Sequence, residues 1–296
     1  MGTLQADTNR GFGFAEWAIA VAMALTWGAS FLFIDVIIRD APTLFVPFGR
    51  ACFGAAALWI LPASRARMAR AHWPRMVVLG MVWMALPFWL FPLAERTVAS
   101  SIAGMMNGAL PVVVAAVTAV WLRQAPSAAR VVAVLVGFGG IVLVALPSVL
   151  EGTSADAPGI AMLGGAVLCY AVGLNVARPL LDAYPPIVVL ARVLTIAAVW
   201  SAPTGVAAMG DVRWTWPMLG SLAALGALGS GMAFVLFGSL LRRTGPVRAM
   251  VPTYFTPVVG TVLGVAFNGE HIEALSIAGM CVVILGAWLT SRPDGR

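Results

Sequence analysis

The feature that most constrains this chain is a succession of ten apolar stretches separated by connections too short to hold a soluble domain. They cover 14–38, 43–62, 74–94, 99–122, 128–147, 158–180, 185–205, 214–241, 247–267 and 273–291. A helix rises about 1.5 Å per residue and the hydrocarbon core is about 30 Å thick, so about 20 apolar residues cross it. Inside that layer no water satisfies the backbone, and only helices or a closed barrel survive. Barrel strands are half as long and alternate in polarity, so these runs read as helices. The predicted fold is an all-α integral membrane protein with ten transmembrane helices.

Composition supports this. Charged residues make up 10% of the chain, against about 25% in a soluble domain. The surface facing the surroundings must therefore itself be largely apolar, as the mean hydropathy of +0.95 also indicates. The net charge of +6 comes from arginine alone, for the chain has no lysine. Such a charge would suit nucleic acid if it formed one face. Here the arginines sit in short clusters between apolar runs, so the implied partner is the lipid bilayer and not nucleic acid. Cys52, Cys169 and Cys281 lie in separate apolar runs, where they act as small apolar residues rather than a disulfide framework. The first run continues to Ile38 and is too long for the core of a cleavable signal, so we read it as a retained helix.

Arginine also sets the orientation. With the amino end cytoplasmic, one side carries Arg10, Arg65, Arg67, Arg70, Arg75, Arg123, Arg130, Arg178, Arg242, Arg243, Arg248, Arg292 and Arg296, while the other carries Arg39, Arg96 and Arg213. The excess on the first side places both termini, the tails 1–13 and 292–296, in the cytoplasm. Gaining or losing one helix would scramble the alternation, which supports the count of ten.

The two halves, 14–147 and 158–291, echo each other. Trp73-Pro74 recurs as Trp216-Pro217 at an offset of 143, Arg50 as Arg192 at 142, and Pro111-Val112-Val113 as Pro257-Val258-Val259 at 146. Ala133 and Gly140 align with Gly279 and Gly286 at that same offset. Five helices per half is an odd number, so the second half enters the membrane upside down. Two inverted five-helix repeats, with a substrate site near the midplane between them, are a recurring design of secondary transporters.

Trp27-Gly28-Ala29-Ser30-Phe31, then Arg50, and the stretch from Pro257 through Gly269-Glu270 to Gly286 resemble the EamA-type pattern of the drug/metabolite transporter superfamily. The resemblance covers about 14 to 291. It departs from the pattern at Arg123-Gln124, where the second half has Gly269-Glu270. It implies a bacterial inner-membrane exporter of small metabolites, with the fifth and tenth helices packed outside a central cavity. Members of the YddG-like type export aromatic amino acids.

Polar residues inside a membrane helix tend to face the protein interior or a cavity. Arg50 and Arg192 lie at corresponding depths and read either as one charge per gate, contacting a carboxylate, or as structural clamps on carbonyls or an ion pair. Asn107, Tyr170, Asn175, Ser230 and Tyr254 make interhelical hydrogen bonds or line the cavity. Trp27 and Trp83, at mid-depth, pack the core or stack on substrate. Together these seven uncharged residues are the candidate substrate site. Pro87, Pro111, Pro252 and Pro257 each remove a backbone bond and are candidate hinges. Gly104 with Gly108, and Gly260 with Gly264, have the spacing of close helix contacts.

No carboxylate stands near the middle of a helix: Glu16, Asp35, Glu95 and Glu270 are near ends. A relay of buried acids is therefore not evident, and a cationic drug lacks a counter-charge. His72 and His271 fall in loops on opposite sides and cannot share a metal. With no HExxH, paired-aspartate or phosphate-loop motif, neither a cofactor nor membrane-embedded enzyme chemistry is expected. The expected function is alternating-access export of small molecules, with amino acids, aromatic ones included, ahead of organic cations and nucleotide sugars. Nothing in the sequence forbids a homodimer.

Overall fold

The computed structural model describes residues 11–94, 96–98, 106–150, 156–268 and 274–292. These form helices and turns, with no strand among them. In chain order the helices are α1 (Phe14–Ile38), α2 (Phe45–Ile60), α3 (Arg70–Ala94), α4 (Leu110–Leu122), α5 (Ala128–Leu150), α6 (Ala157–Ala183), α7 (Pro186–Ala207), α8 (Trp216–Thr244), α9 (Val251–Asn268) and α10 (Ala274–Ser291). By length and composition α1, α3, α6, α7, α8 and α10 can each cross a membrane, and α2, α4 and most of α5 are shorter apolar helices. Val21, Leu25, Ile60, Val132, Leu135, Val199, Ile284 and Leu285 all point outward. An outer surface of aliphatic side chains is what a bilayer requires and water does not tolerate. The protein is an all-helical membrane protein. Arg10, Glu95, Gly104, Gly269, Glu270, His271 and Arg296 lie outside the described residues.

Local chemistry sets the helix ends. Glu16 reaches back to accept the Gly13 N–H at 2.9 Å, which ties down the start of α1. Asp156 caps α6 by accepting from the Gly159 N–H at 2.8 Å. Between α8 and the short turn Pro246–Ala249, Gly245 takes φ +80, a conformation glycine adopts without a Cβ clash. Arg123 ends α4 in the left-handed region, with φ 53. Its counterpart in the second repeat is Gly269, the residue that suits a left-handed helix end. The departure noted at Arg123-Gln124 thus puts an arginine side chain in a left-handed turn.

One feature was not legible in the sequence. Both α3 and α8 contain a π-helical segment, Gly80–Ala85 and Leu225–Met232 respectively. They occupy corresponding places in the two halves. A π segment carries an extra residue per turn and redirects nearby carbonyls and side chains, often at functional sites.

Glycine governs how closely the helices approach. α5 and α10 pack against one another, and a Cβ added at Gly286 would collide with the backbone of Gly137. One added at Gly140 would lie 2.5 Å from the Val283 nitrogen. Elsewhere α2 packs on α7 and on the π segment of α8, α1 on α9, and α3 and α4 on α6. At the α2–α8 crossing, a Cβ on Gly54 would stand 2.9 Å from the Gly226 carbonyl oxygen, and one on Gly226 2.9 Å from that of Arg50. That crossing holds Arg50 against the π segment of α8.

Candidate functional site: a central cavity with one buried arginine

A cavity of about 400 Å³ lies inside the bundle. Its walls come from α1 (Trp27, Ser30, Ile34, Ile38), α2 (Val46, Arg50), α3 (Trp83, Pro87, Phe88, Phe91, Pro92), the α4 region (Asn107, Leu110), α6 (Tyr170, Leu174), α8 (Phe234, Phe237) and the start of α9 (Met250, Thr253, Thr256). Among the described residues, α5, α7 and α10 contribute nothing to this lining. The cavity reaches the surface at the end bearing Ile38, Thr43 and Arg96. Toward the arginine-rich end it closes on Trp83, Phe234, Phe237 and Met250, all buried.

Those side chains form an aromatic floor. Trp27 packs on Phe234 and Phe237 with centroids 5.3 and 5.7 Å apart. Trp83 meets the same rings at 5.7 and 6.0 Å. Tilted and edge-on pairs of this kind contribute about 0.5–1.5 kcal/mol each beyond their burial. A Cβ on Gly173 of α6 would stand 2.7 Å from Trp83 Cβ, so that glycine makes room for the indole. Sequence reasoning placed Trp27 and Trp83 at this depth and missed Phe234 and Phe237. Their spacing from Ser230, four and seven residues on, puts all three on one face of α8 and was the available signal.

The π segment of α8 serves two neighbours. The Trp27 Nε1–H donates to the Gly229 carbonyl at 3.1 Å, and Arg50 Nε–H donates to Ser230 Oγ at 2.9 Å. The Arg50 guanidinium also lies over the face of Phe88, 3.9 Å from its centroid, a cation–π contact. No carboxylate is among the described lining residues. The cavity therefore joins the Arg50 guanidinium, held from two sides, to a floor of aromatic rings, with Arg96 at its mouth.

The remaining candidates divide. Asn107 and Tyr170 line the cavity, and Tyr170 packs against Phe91 at 6.2 Å. Ser230 acts through Arg50. Asn175 donates to Thr118 Oγ1 at 3.2 Å and to the Ala171 carbonyl at 2.9 Å, on the side of α6 that faces α4 and away from the cavity. Tyr254 turns from the cavity toward α5, where a Cβ on Gly137 would meet its ring at 2.6 Å. Arg192 is also outside the cavity, donating to the carbonyls of Ser64 at 3.0 Å, Ala66 at 2.7 Å and Val188 at 2.8 Å. Of the hinge candidates, Pro87 lines the cavity, Pro111 sits in the first turn of α4, and Pro252 and Pro257 lie in the first half of α9.

Outward-facing aliphatic helices around a polar-and-aromatic cavity are the arrangement of a membrane transporter. The profile of the EamA-like transporter family matches residues 16–146 and again 157–292, and the chain belongs to that family, with one repeat in each half. It is similar to an uncharacterized transporter of Archaeoglobus fulgidus, 21% identical over 277 residues, which spans 94% of this chain and 99% of the relative. It also resembles the uncharacterized transporter YwfM of Bacillus subtilis, 24% identical over 254 residues and 84% of each chain. A solved crystal structure shares the fold at a TM-score of 0.73 and 18% identity, covering 93% of this chain and 95% of that one.

Proposed function

We propose that this transporter exports small carboxylate-bearing metabolites across the bacterial inner membrane, with amino acids, aromatic ones included, as the preferred class. The observation that carries the reading is Arg50: a guanidinium inside the bundle, with no described carboxylate in the cavity wall and an aromatic floor below it. A cation inside the bundle without an acidic partner among the described residues favours an anionic ligand, and it disfavours the organic cations that a multidrug exporter handles. The floor of Trp27, Trp83, Phe234 and Phe237 suits an apolar side chain. A volume of about 400 Å³ lies at the small end of ligand pockets, which fits a single metabolite better than a nucleotide sugar.

In this reading the halves 14–147 and 158–291 are inverted in the membrane, with both termini cytoplasmic. The cavity then opens outward and is sealed on the cytoplasmic side, and alternating access exchanges the two ends. Counterflow in proteoliposomes tests it, with radiolabelled L-phenylalanine against a panel of amino acids, organic cations and phosphorylated sugars. The expected result is exchange with amino acids that is lost in Arg50→Gln. Exchange with organic cations that survives Arg50→Gln would overturn it.

A further inference from the structure

We infer that the wall formed by α4 and α9 is the second pole of the cavity, receiving the ammonium group of a substrate whose carboxylate sits at Arg50. This rests on the carboxylate reading above and adds a separate set of acceptors.

The first observation is Thr256. It is 6% exposed, lines the cavity, and its Oγ1 has no hydrogen-bond partner among the described residues. Helical hydroxyls elsewhere donate to a carbonyl: Thr26, Ser30, Thr195, Ser201, Ser239 and Thr244 to the one four residues earlier, Thr204, Thr253 and Ser291 to the one three earlier, and Ser276 to Val144 of α5. Thr256 is buried and does not. A buried polar atom left unpaired costs roughly 1–3 kcal/mol, so its persistence beside a cavity points to a ligand that satisfies it.

The second observation comes from the proline repeat. Pro111 and Pro257 correspond in the two halves, and neither has an N–H to give to the carbonyl four residues earlier. Those carbonyls belong to Asn107 and Thr253, which also correspond, and both residues line the cavity. The Thr253 hydroxyl donates its hydrogen to the Met250 carbonyl at 2.7 Å, so toward a ligand that residue can only accept, through its hydroxyl and backbone oxygens. Carbonyls that no helical N–H reaches, before a helix start as at Asn107 or opposite a proline as at Thr253, serve cations in membrane proteins. Two such carbonyls, the Asn107 side chain and the Thr256 hydroxyl form an acceptor set without a carboxylate. It suits a compact donor with several N–H groups, and a zwitterion bridging to Arg50 uses both poles.

Equilibrium binding to purified protein in nanodiscs tests this with two probes, L-phenylalanine and 3-phenylpropanoate, which lacks the amino group. Wild type is expected to bind phenylalanine about tenfold tighter, the scale of one hydrogen bond to a charged group. Thr256→Val should erase most of that preference while leaving 3-phenylpropanoate unchanged, and Thr256→Ser should retain it. Pro257→Ala, which returns an N–H to the Thr253 carbonyl and favours the helix, should act like Thr256→Val and guards against a folding failure there. Arg50→Gln should weaken both probes. Equal wild-type affinity for the two probes, or equal losses of both in Thr256→Val and Pro257→Ala, would overturn the second pole and leave the carboxylate reading standing. Affinity for both probes that needs sodium rather than choline would assign the acceptors to a free cation and overturn it too. If neither probe binds wild type, the carboxylate reading fails and takes this inference with it.

Discussion

The hydrogen bond from Arg50 to Ser230 makes a quantitative prediction. Arg50 Nε stands 2.9 Å from Ser230 Oγ, and Ser230 is fully buried in the π segment of α8. A bond with a charged donor contributes about 1.5–3 kcal/mol in water-soluble proteins. Interhelical bonds in a membrane average about 0.6 and reach about 1.7 kcal/mol, because the unfolded chain in lipid also finds partners. The charge raises the value and the membrane reference lowers it, so Ser230→Ala should destabilise the fold by about 1–2 kcal/mol. The Phe88 face, 3.9 Å from the guanidinium, still holds the charge and limits the loss. The clean measurement is a double-mutant cycle with Arg50→Met, read by reversible unfolding in mixed micelles. Ser230→Ala should cost about 1–2 kcal/mol in wild type and close to nothing with Arg50→Met, where the serine can bond to its own helix. An equal cost in both backgrounds would refute the pairing. Ligand binding should weaken in parallel with the loss of guanidinium placement.

Other residues give direct tests. Gly173→Ala should displace Trp83, whose Cβ and Cδ1 lie 2.7 Å from the added methyl; the expected result is weaker binding of an aromatic ligand and a loss of about 1–3 kcal/mol in stability by overpacking, measured by tryptophan fluorescence and melting. Arg123→Gly should raise the melting temperature, since a side chain in the left-handed region costs roughly 1 kcal/mol; a fall would show that the arginine side chain matters more than its backbone. Orientation is checked with single cysteines at Ala66 and Gly210 after Cys52, Cys169 and Cys281 are replaced: an impermeant maleimide should reach Ala66 only from the cytoplasm and Gly210 only from outside.

Much of the architecture was readable because hydropathy reports directly on a bilayer. A run such as 14–38 has no alternative to a spanning helix, and the helix begins and ends there. Internal homology pointed to Arg50 and the proline pair, since repeated chemistry in a biased composition survives as a pattern. Direction was harder to read than depth. Tyr254 lies in a membrane helix, but whether it faces the cavity or α5 depends on the rotation of α9, which packing decides. An aromatic in a lipid-facing helix looks the same in sequence as one in a cavity floor, which hid Phe234 and Phe237. The π segments were invisible for another reason. The α8 segment lies where α2 presses Gly54 against Gly226, the α3 segment where Gly80 meets Ile196 of α7, and no hydrophobic period records either.

The two arginines show what the repeat does and does not dictate. Arg50 and Arg192 correspond in sequence, yet Arg50 faces a cavity while Arg192 donates to the carbonyls of Ser64 and Ala66 between α2 and α3. Their different surroundings follow from a single conformation. The cavity reaches one end of the bundle, so equivalent helices in the two halves cannot have equivalent neighbours. At the sealed end Arg192 joins Glu16 with Arg243 at 3.3 Å and His72 with Tyr184 at 2.8 Å, and these bonds tie the connections there to their neighbours. On the alternating-access reading, the bonds of Arg192 to the α2–α3 connection belong to the closed end, and Arg50 to the open cavity.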